Sequence, residues 1–335
     1  MNRIATILLL MLFASSLWGK KQEATFADKV AVAQRTIVQI SQNIGITGMN
    51  KLADAHATMR SCFPDGDNTP LANLYHPSGF NVGTGFIVNN KGDVVTADHV
   101  VKLIIRLEAC LAQYQVTPHN LIGLQVPNSD MRIIAPNLEL ANSGFSSAVQ
   151  FTIIAEDPAH DVAVLTPQRN LFHNSNIIIS DTNGRSQTFN LNATKLNPND
   201  QVARLNLNRP RDGSDIFTCG YPLNAPSSVT TSGRIASAWS EKILANAVNN
   251  GITQQSETYT LDLRINHGNS GGPLFSTDDG SVLGIIVEIS PTTIENGVAF
   301  AVPAKYIAVL LDKSKIPWVS VGEKRKKADP EGSAR

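Results

Sequence analysis

Gly268-Asn269-Ser270-Gly271-Gly272-Pro273-Leu274 is the stretch on which the reading of this chain turns. A serine hydroxyl is a weak nucleophile until a neighbouring base takes its proton. The anion that develops after its attack must be met by preorganised backbone N–H groups. Glycines flanking Ser270 let the chain bend so that such groups, here those of Gly268 and Ser270, point into one pocket that a Cβ would obstruct. A plain Asn-Ser-Gly-Gly turn joining two strands has the same composition, so the motif needs partners.

Two partners stand upstream. Gly83 to Val95 reads as a hairpin, G-T-G-F-I-V, a turn at Asn89-Asn90-Lys91-Gly92, then D-V-V, and it runs into Thr96-Ala97-Asp98-His99-Val100. A rigid strand end there can hold His99 as a general base. His160-Asp161-Val162-Ala163-Val164-Leu165 puts a carboxylate at the start of an apolar strand, where it can orient an imidazole. Taken singly, His99 could be a surface histidine and Asp161 a strand cap.

Around these blocks, Thr36 to Ile40 alternates like a strand, and short β-type runs dominate from about 120 onward. Examples are Ile153-Ile154, Ile177 to Ile179, Ile216 to Cys219, Ser228 to Thr231 and Val282 to Ile289. Their spacing predicts an all-β barrel or sandwich and not alternating β-α units. Helices are expected over Asn50 to Cys62, over Val100 to Tyr114, and from Pro303, a residue tolerated at the first helical position, to about Leu311.

Four blocks, taken in their order along the chain, resemble the trypsin-like peptidases, and within them are most similar to the bacterial HtrA (Deg) proteases. The matching residues are Gly83 to Val88 with Thr96 to Val101; His160 to Leu165; Cys219-Gly220-Tyr221-Pro222 with Val229 to Ile235; and Gly268 to Leu274 with Leu283-Gly284-Ile285 and Gly297 to Pro303. The order His, Asp, Ser is that of the chymotrypsin class. The resemblance implies two antiparallel β-barrels of the six-stranded type, with helical insertions and a C-terminal helix. Residues 30–165, with insertions at 41–82 and 102–150, would form the first barrel, and 190–312 the second barrel and the helix. It implies a serine endopeptidase with the triad His99, Asp161 and Ser270, the oxyanion hole of Gly268 and Ser270, no cofactor and no metal. Protein or peptide substrates are the expected partners, and the family allows a homo-oligomer. The PDZ domains that usually follow such a protease are not expected in the short stretch after the last helix. A silent binding protein of the same fold and an ester-cleaving acyl hydrolase are the rival readings.

Arg264, six residues before Ser270, stands where many trypsin-like enzymes place the base of the primary specificity pocket. Together with Glu288 and Gly297 it is a candidate substrate-binding residue. Buried there, Arg264 would favour an acidic residue before the scissile bond. The alternative, favoured here, is that it turns outward or pairs with Glu288, leaving a pocket for small aliphatic residues. His267 reads as a rim residue, and Asp278-Asp279-Gly280 as a hairpin turn short of the oxygen ligands that calcium needs.

Composition narrows the remaining classes. Among 335 residues, Lys plus Arg and Asp plus Glu each total 28, so nothing favours a nucleic-acid partner. Asn2 and Arg3, the apolar run Ile4 to Phe13, and small residues up to Gly19 have the layout of a cleaved export signal, 1–19, too short to span a bilayer. A secreted or periplasmic protein without a membrane anchor after cleavage is expected. Of the three cysteines, Cys62 and Cys110 are expected to pair and Cys219 to be a buried free thiol. Glu323 to Arg335, with its basic cluster Lys324 to Lys327, reads as a disordered, solvated tail.

Overall fold

In the computed structural model, which describes residues 24–44, 75–76, 79–113, 118–125, 145–168, 176–180, 186–190, 201–222, 225, 227–289 and 298–322, the β-type runs close into two sheets. The first is built from β1 (Ile37–Ile44), β2 (Tyr75–His76), β3 (Gly79–Ile87), β4 (Val94–Thr96), β5 (Pro118–Gln125), β6 (Phe145–Asp157) and β7 (Val162–Pro167). Its order is β1-β5-β6-β7-β4-β3-β2, and pairing of β1 with β3 closes six strands into a barrel, with β2 added outside. Every pairing in it is antiparallel.

Continuous apolar runs explain the interior. Val162, Ala163, Val164 and Leu165 of β7 and Val94 and Val95 of β4 are all fully buried. A strand buried on both faces needs no polar alternation, and these strands face the barrel interior on one side and packed neighbours on the other. The long strand β6 shifts register between Ile153 and Ala155. Such a bulge adds twist, which lets one strand serve two sides of a small barrel.

The second sheet contains β10 (Arg204–Leu205), β11 (Asp215–Gly220), β12 (Val229–Lys242), β13 (Ser256–Asp262), β14 (Pro273–Ser276), β15 (Val282–Ile289), β16 (Val298–Pro303) and β17 (Val319–Ser320). Six of these, in the order β14-β11-β12-β13-β16-β15, close through an antiparallel β14–β15 pairing. Outside this closed antiparallel barrel, β10 joins β15 in parallel and β17 joins β10 in parallel. Two-residue strands leave no periodicity to read, so the sequence carried no sign of them. Strands β8 (Asn176–Ser180) and β9 (Ser186–Asn190) pair with each other as a separate antiparallel ribbon.

Four helices lie among the described residues: α1 (Phe26–Gln34), α2 (Asp98–Gln113), α3 (Ala245–Asn249) and α4 (Ala304–Lys313). The two longest are those expected around 100–114 and after Pro303. Helix α1 starts with a capping box in which Thr25 and Asp28 satisfy each other's N–H groups. It leads into the first barrel yet docks on the second: Phe26 meets Phe217 edge-on at 5.3 Å, and Lys29 Nζ donates to the Thr277 carbonyl at 2.7 Å.

One apolar core runs from Phe86 and Leu165 of the first barrel through Phe217 and Phe275 of the second to Ile307 and Leu311 of α4. Phe217 and Phe275 stack at 4.9 Å. Burying each large side chain is worth about 1.5–3 kcal/mol, so the shared core rather than any single contact holds the barrels together. A smaller cluster around Ile216, Leu261, Leu274 and Ile286 fills the second barrel.

Among the described residues, β5 and the start of β6 fall within 102–150, and the end of β1, the whole of β2 and the start of β3 within 41–82. Their sequences, such as Pro118 to Gln125, lack a clean alternation that would mark them. Cys219 is a buried free thiol, its Sγ 3.2 Å from Thr230 Oγ1. Cys110, on α2, is disulfide-bonded. Its expected partner Cys62, the expected helix 50–62, the export signal 1–19 and the tail 323–335 lie outside the described residues. Among the described residues, no helix is long and apolar enough to cross a membrane.

Candidate active site

Strand β4 ends at Thr96, and three residues later His99 occupies the first turn of α2. The first N–H groups of a helix have no partner within it. Asp161 supplies one from another element: its Oδ1 accepts the His99 backbone N–H at 2.8 Å. Its Oδ2 lies 2.7 Å from His99 Nδ1. A carboxylate oxygen accepting at Nδ1 leaves Nε2 of the neutral ring with its lone pair. The His99 side chain is 34% exposed and that of Asp161 3%, so the base is accessible and its anchor is enclosed.

Asp161 closes the turn between β6 and β7 with φ 54°. Non-glycine residues seldom occupy this left-handed region, and Asp is among those that tolerate it. The turn has its own support: His160 Nδ1 lies 2.7 Å from Asp157 Oδ2, and the ring stacks on Tyr306 of α4 at 3.9 Å. Burial works to raise the Asp157 pKa, but the His160 imidazole and the N–H groups of His160 and Ala159 outweigh it and hold the carboxyl below its ordinary value.

Ser270 stands in the loop between β13 and β14, half-buried. Asn269 N–H donates to Asn266 O at 3.1 Å and Gly272 N–H to Asn269 O at 2.8 Å, folding the loop on itself. Ile286 of β15 holds it from one side, accepting from Gly271 N–H at 2.8 Å and donating to Gly272 O at 2.9 Å. The first barrel holds it from the other, through Thr84 N–H donating to Ser270 O at 2.9 Å. Gly268 and Gly271 have φ 97° and 80°. A Cβ on Gly271 would overlap Thr96 Oγ1 and the Thr84 carbonyl and lie 2.8 Å from Ala97 N. Only glycine fits, and the loop therefore lies directly against the segment that leads to His99. Among the described residues, neither the Gly268 nor the Ser270 N–H has an acceptor.

The remaining candidates are spread out. Arg264, just past β13, and His267 are both exposed. Glu288 lies in β15, but its side chain is outside the description, as is Gly297 altogether. Asp278-Asp279-Gly280 forms the turn between β14 and β15, with Ser281 N–H donating to Asp279 Oδ1 at 2.9 Å. Among the described residues, no three His, Cys, Asp or Glu side chains converge as a metal site requires. Sequence reasoning passed over Thr84, Thr96 and Tyr306. The signal for the two threonines was available: a polar side chain inside a buried strand must find a hydrogen-bond partner.

A family model described as a trypsin-like peptidase domain matches residues 83–285. A serine protease HtrA-like of Staphylococcus aureus is 26% identical over 178 residues, which are 50% of this chain and 23% of that protein. The serine protease Do-like HtrA of Bacillus subtilis is 36% identical over 118 residues, 33% of this chain and 25% of the relative. The matches thus span about a quarter of the curated relatives. Among solved structures, the HtrA-type protease AlgW with a decapeptide superposes with a TM-score of 0.52 and 18% identity, covering 87% of this chain and 68% of that one. At that identity the likeness concerns the fold.

Proposed function

This chain belongs to the trypsin-like peptidases, and we propose that it is a serine endopeptidase working through Ser270, His99 and Asp161. The observation that carries the reading is the two-point hold of Asp161 on His99, backbone N–H and ring Nδ1 together. It sets the imidazole with Nε2 as the acceptor that a serine nucleophile needs.

In this reading Ser270 Oγ attacks the substrate carbonyl carbon while its proton passes to His99 Nε2. The carbonyl oxygen becomes an anion and is met by the N–H groups of Gly268 and Ser270, which the loop leaves without internal acceptors. Collapse breaks the C–N bond, and His99 returns the proton to the leaving amine, giving an acyl-Ser270 ester. A water then loses its proton to Nε2 and attacks the ester, and Ser270 leaves with that proton restored. Asp161 stabilises the transient imidazolium without taking its proton. The roles follow the general template of the chymotrypsin class.

Arg264 is exposed, so water solvates its guanidinium and no substrate carboxylate is required of it. The pocket is proposed to take small aliphatic residues such as Val or Ala. Cleavage-site profiling in a peptide library checks this; a dominant acidic preference that disappears in Arg264→Ala contradicts it. With the export signal expected at 1–19, the substrates are proposed to be proteins outside the cytoplasm.

The deciding experiment is labelling with a fluorophosphonate probe, followed by mapping of the modified serine and a casein assay. Label on Ser270 together with casein cleavage is expected. Label without cleavage of any peptide bond points to an ester hydrolase, and a folded protein that takes no label is a binding protein.

A further inference from the structure

We propose that Thr84 is a positioning residue of the nucleophile loop, locking from the first barrel the peptide planes beside the two oxyanion donors; this rests on the reading of Ser270 as nucleophile. Thr84 lies in β3, is fully buried, and pairs with Gln39 of β1 in the barrel wall. Its N–H donates to Ser270 O at 2.9 Å. Its hydroxyl donates to Gly268 O at 2.6 Å and accepts the Tyr221 N–H at 3.0 Å. Its carbonyl accepts the Thr96 hydroxyl at 2.8 Å. One side chain and the two peptide groups of a single residue thus join the strand before His99, the turn after β11 and the loop of Ser270.

The loop's own hydrogen bonds, Asn269 N–H to Asn266 O and Gly272 N–H to Asn269 O, supply only part of this order. Gly268, Gly271 and Gly272 lie within five consecutive residues, and glycine backbones rotate between left- and right-handed regions at little cost. The Gly268–Asn269 peptide lies between the two planes that carry the Gly268 and Ser270 N–H groups, so turning it over would move one donor relative to the other. No Cβ on Gly268 opposes that rotation; Asn269 N–H, donating to Asn266 O, holds one end of this peptide, and the other end needs a hydrogen bond to the Gly268 carbonyl. The Thr84 hydroxyl makes it. The Thr84 N–H does the same for the Ser270 carbonyl, so the residues that carry both proposed donors are held through their own carbonyls. Thr84 is well suited to this: β-branching restricts χ1, and the barrel wall fixes its backbone.

The hydroxyl is buried between a donor and an acceptor, so a valine of the same shape would remove its hydrogen bonds to Gly268 O and Tyr221 N–H. Thr84→Ser restores the hydroxyl.

The test uses the full chain, with kcat counted per fluorophosphonate-titrated site at saturating probe, and amide hydrogen exchange read over residues 269–272. In Thr84→Val, kcat is expected to fall about 100-fold or more, the scale of losing an oxyanion donor. KM is expected to stay within about 3-fold, since uniform binding is untouched. Thr84→Ser should recover most of the loss. A merely structural role would lower thermal stability and the titratable fraction but leave kcat per site unchanged, and that outcome overturns the proposal. Should Thr84→Val not fold, Thr84→Ser and Thr84→Cys take its place: kcat must fall with donor strength, and equal values for Thr, Ser and Cys overturn it. If the wild type turns over no substrate, the reading of Ser270 fails on its own, and exchange decides for Thr84. Faster exchange confined to 269–272 in Thr84→Val supports the lock, and unchanged exchange removes it.

Discussion

Both carboxylate oxygens of Asp161 are committed to one residue, His99: Oδ1 to its backbone N–H at 2.8 Å and Oδ2 to its Nδ1 at 2.7 Å. The imidazole is therefore held at its root and at its ring, and one carboxylate fixes the start of α2 together with the direction of Nε2. Asp161→Asn keeps the shape but replaces one acceptor oxygen by an NH2 group. Either the backbone N–H or the ring then faces a donor, and the ring turns to the wrong tautomer. In the chymotrypsin-class template that change lowers kcat about 10⁴-fold. A loss of comparable size is expected here, with circular dichroism unchanged; activity near that of the wild type would contradict the role.

Gly271→Ala is expected to be the most damaging single methyl in the site. The position has φ 80°, and the added Cβ would press on the Thr84 carbonyl and Ala97 N, both main-chain atoms that cannot swing away. Backbone strain and overlap together place the cost at about 4 kcal/mol or more. Thermal unfolding measures it. An alanine variant with unchanged melting temperature would mean that the loop does not lie against the first barrel as described.

Cys219 is expected to be silent toward alkylating reagents in the native protein at pH 8. Burial pushes its thiol up to about 11, against 9.0 for an ordinary thiol, although the contact with Thr230 pulls the other way. The thiolate is the reactive form, and at pH 8 it is scarcely populated. The raised value also has a stability consequence: the folded state keeps this proton longer than the unfolded one. Its contribution is complete below about pH 9 and is lost as pH rises through about 11. Iodoacetamide mass labelling should add one group on denaturation without reductant and three after reduction. Labelling of Cys110 without reductant would contradict its disulfide, and peptide mapping tests the proposed pairing with Cys62.

Acid is expected to loosen the turn that carries Asp161. The Asp157 carboxyl is held below its ordinary 3.8 because, despite the opposing effect of burial, His160 and two backbone N–H groups favour its charged form. The folded value lies under the unfolded one, so the contribution is present above about pH 4 and is lost as pH falls through the folded value. Asp157→Asn should therefore destabilise the protein at pH 7 and do so less at pH 3, below the ordinary value. Equal destabilisation at both, by urea unfolding, would remove the charge from the explanation.

Read alone, the sequence determined the order of the His99, Asp161 and Ser270 blocks, the β character of the chain, the helix after His99 and the helix after Pro303. These are local properties: period-two runs, apolar continuity, and turn and capping residues act over a few positions and can be read where they stand. The tertiary structure decided what depends on distant pairing. The closure of β14 on β15, the parallel strands β10 and β17 and the barrel role of β5 follow from neighbours that no local pattern names. The left-handed turn at Asp161 is imposed by the strands it joins and the Tyr306 ring behind His160. Thr84 and Gly268 are 184 residues apart, and their hydrogen bond exists only because two barrels share one core. Hydrogen bonds reach about 3 Å whatever the separation in sequence, so the partners that aim a nucleophile are set by packing.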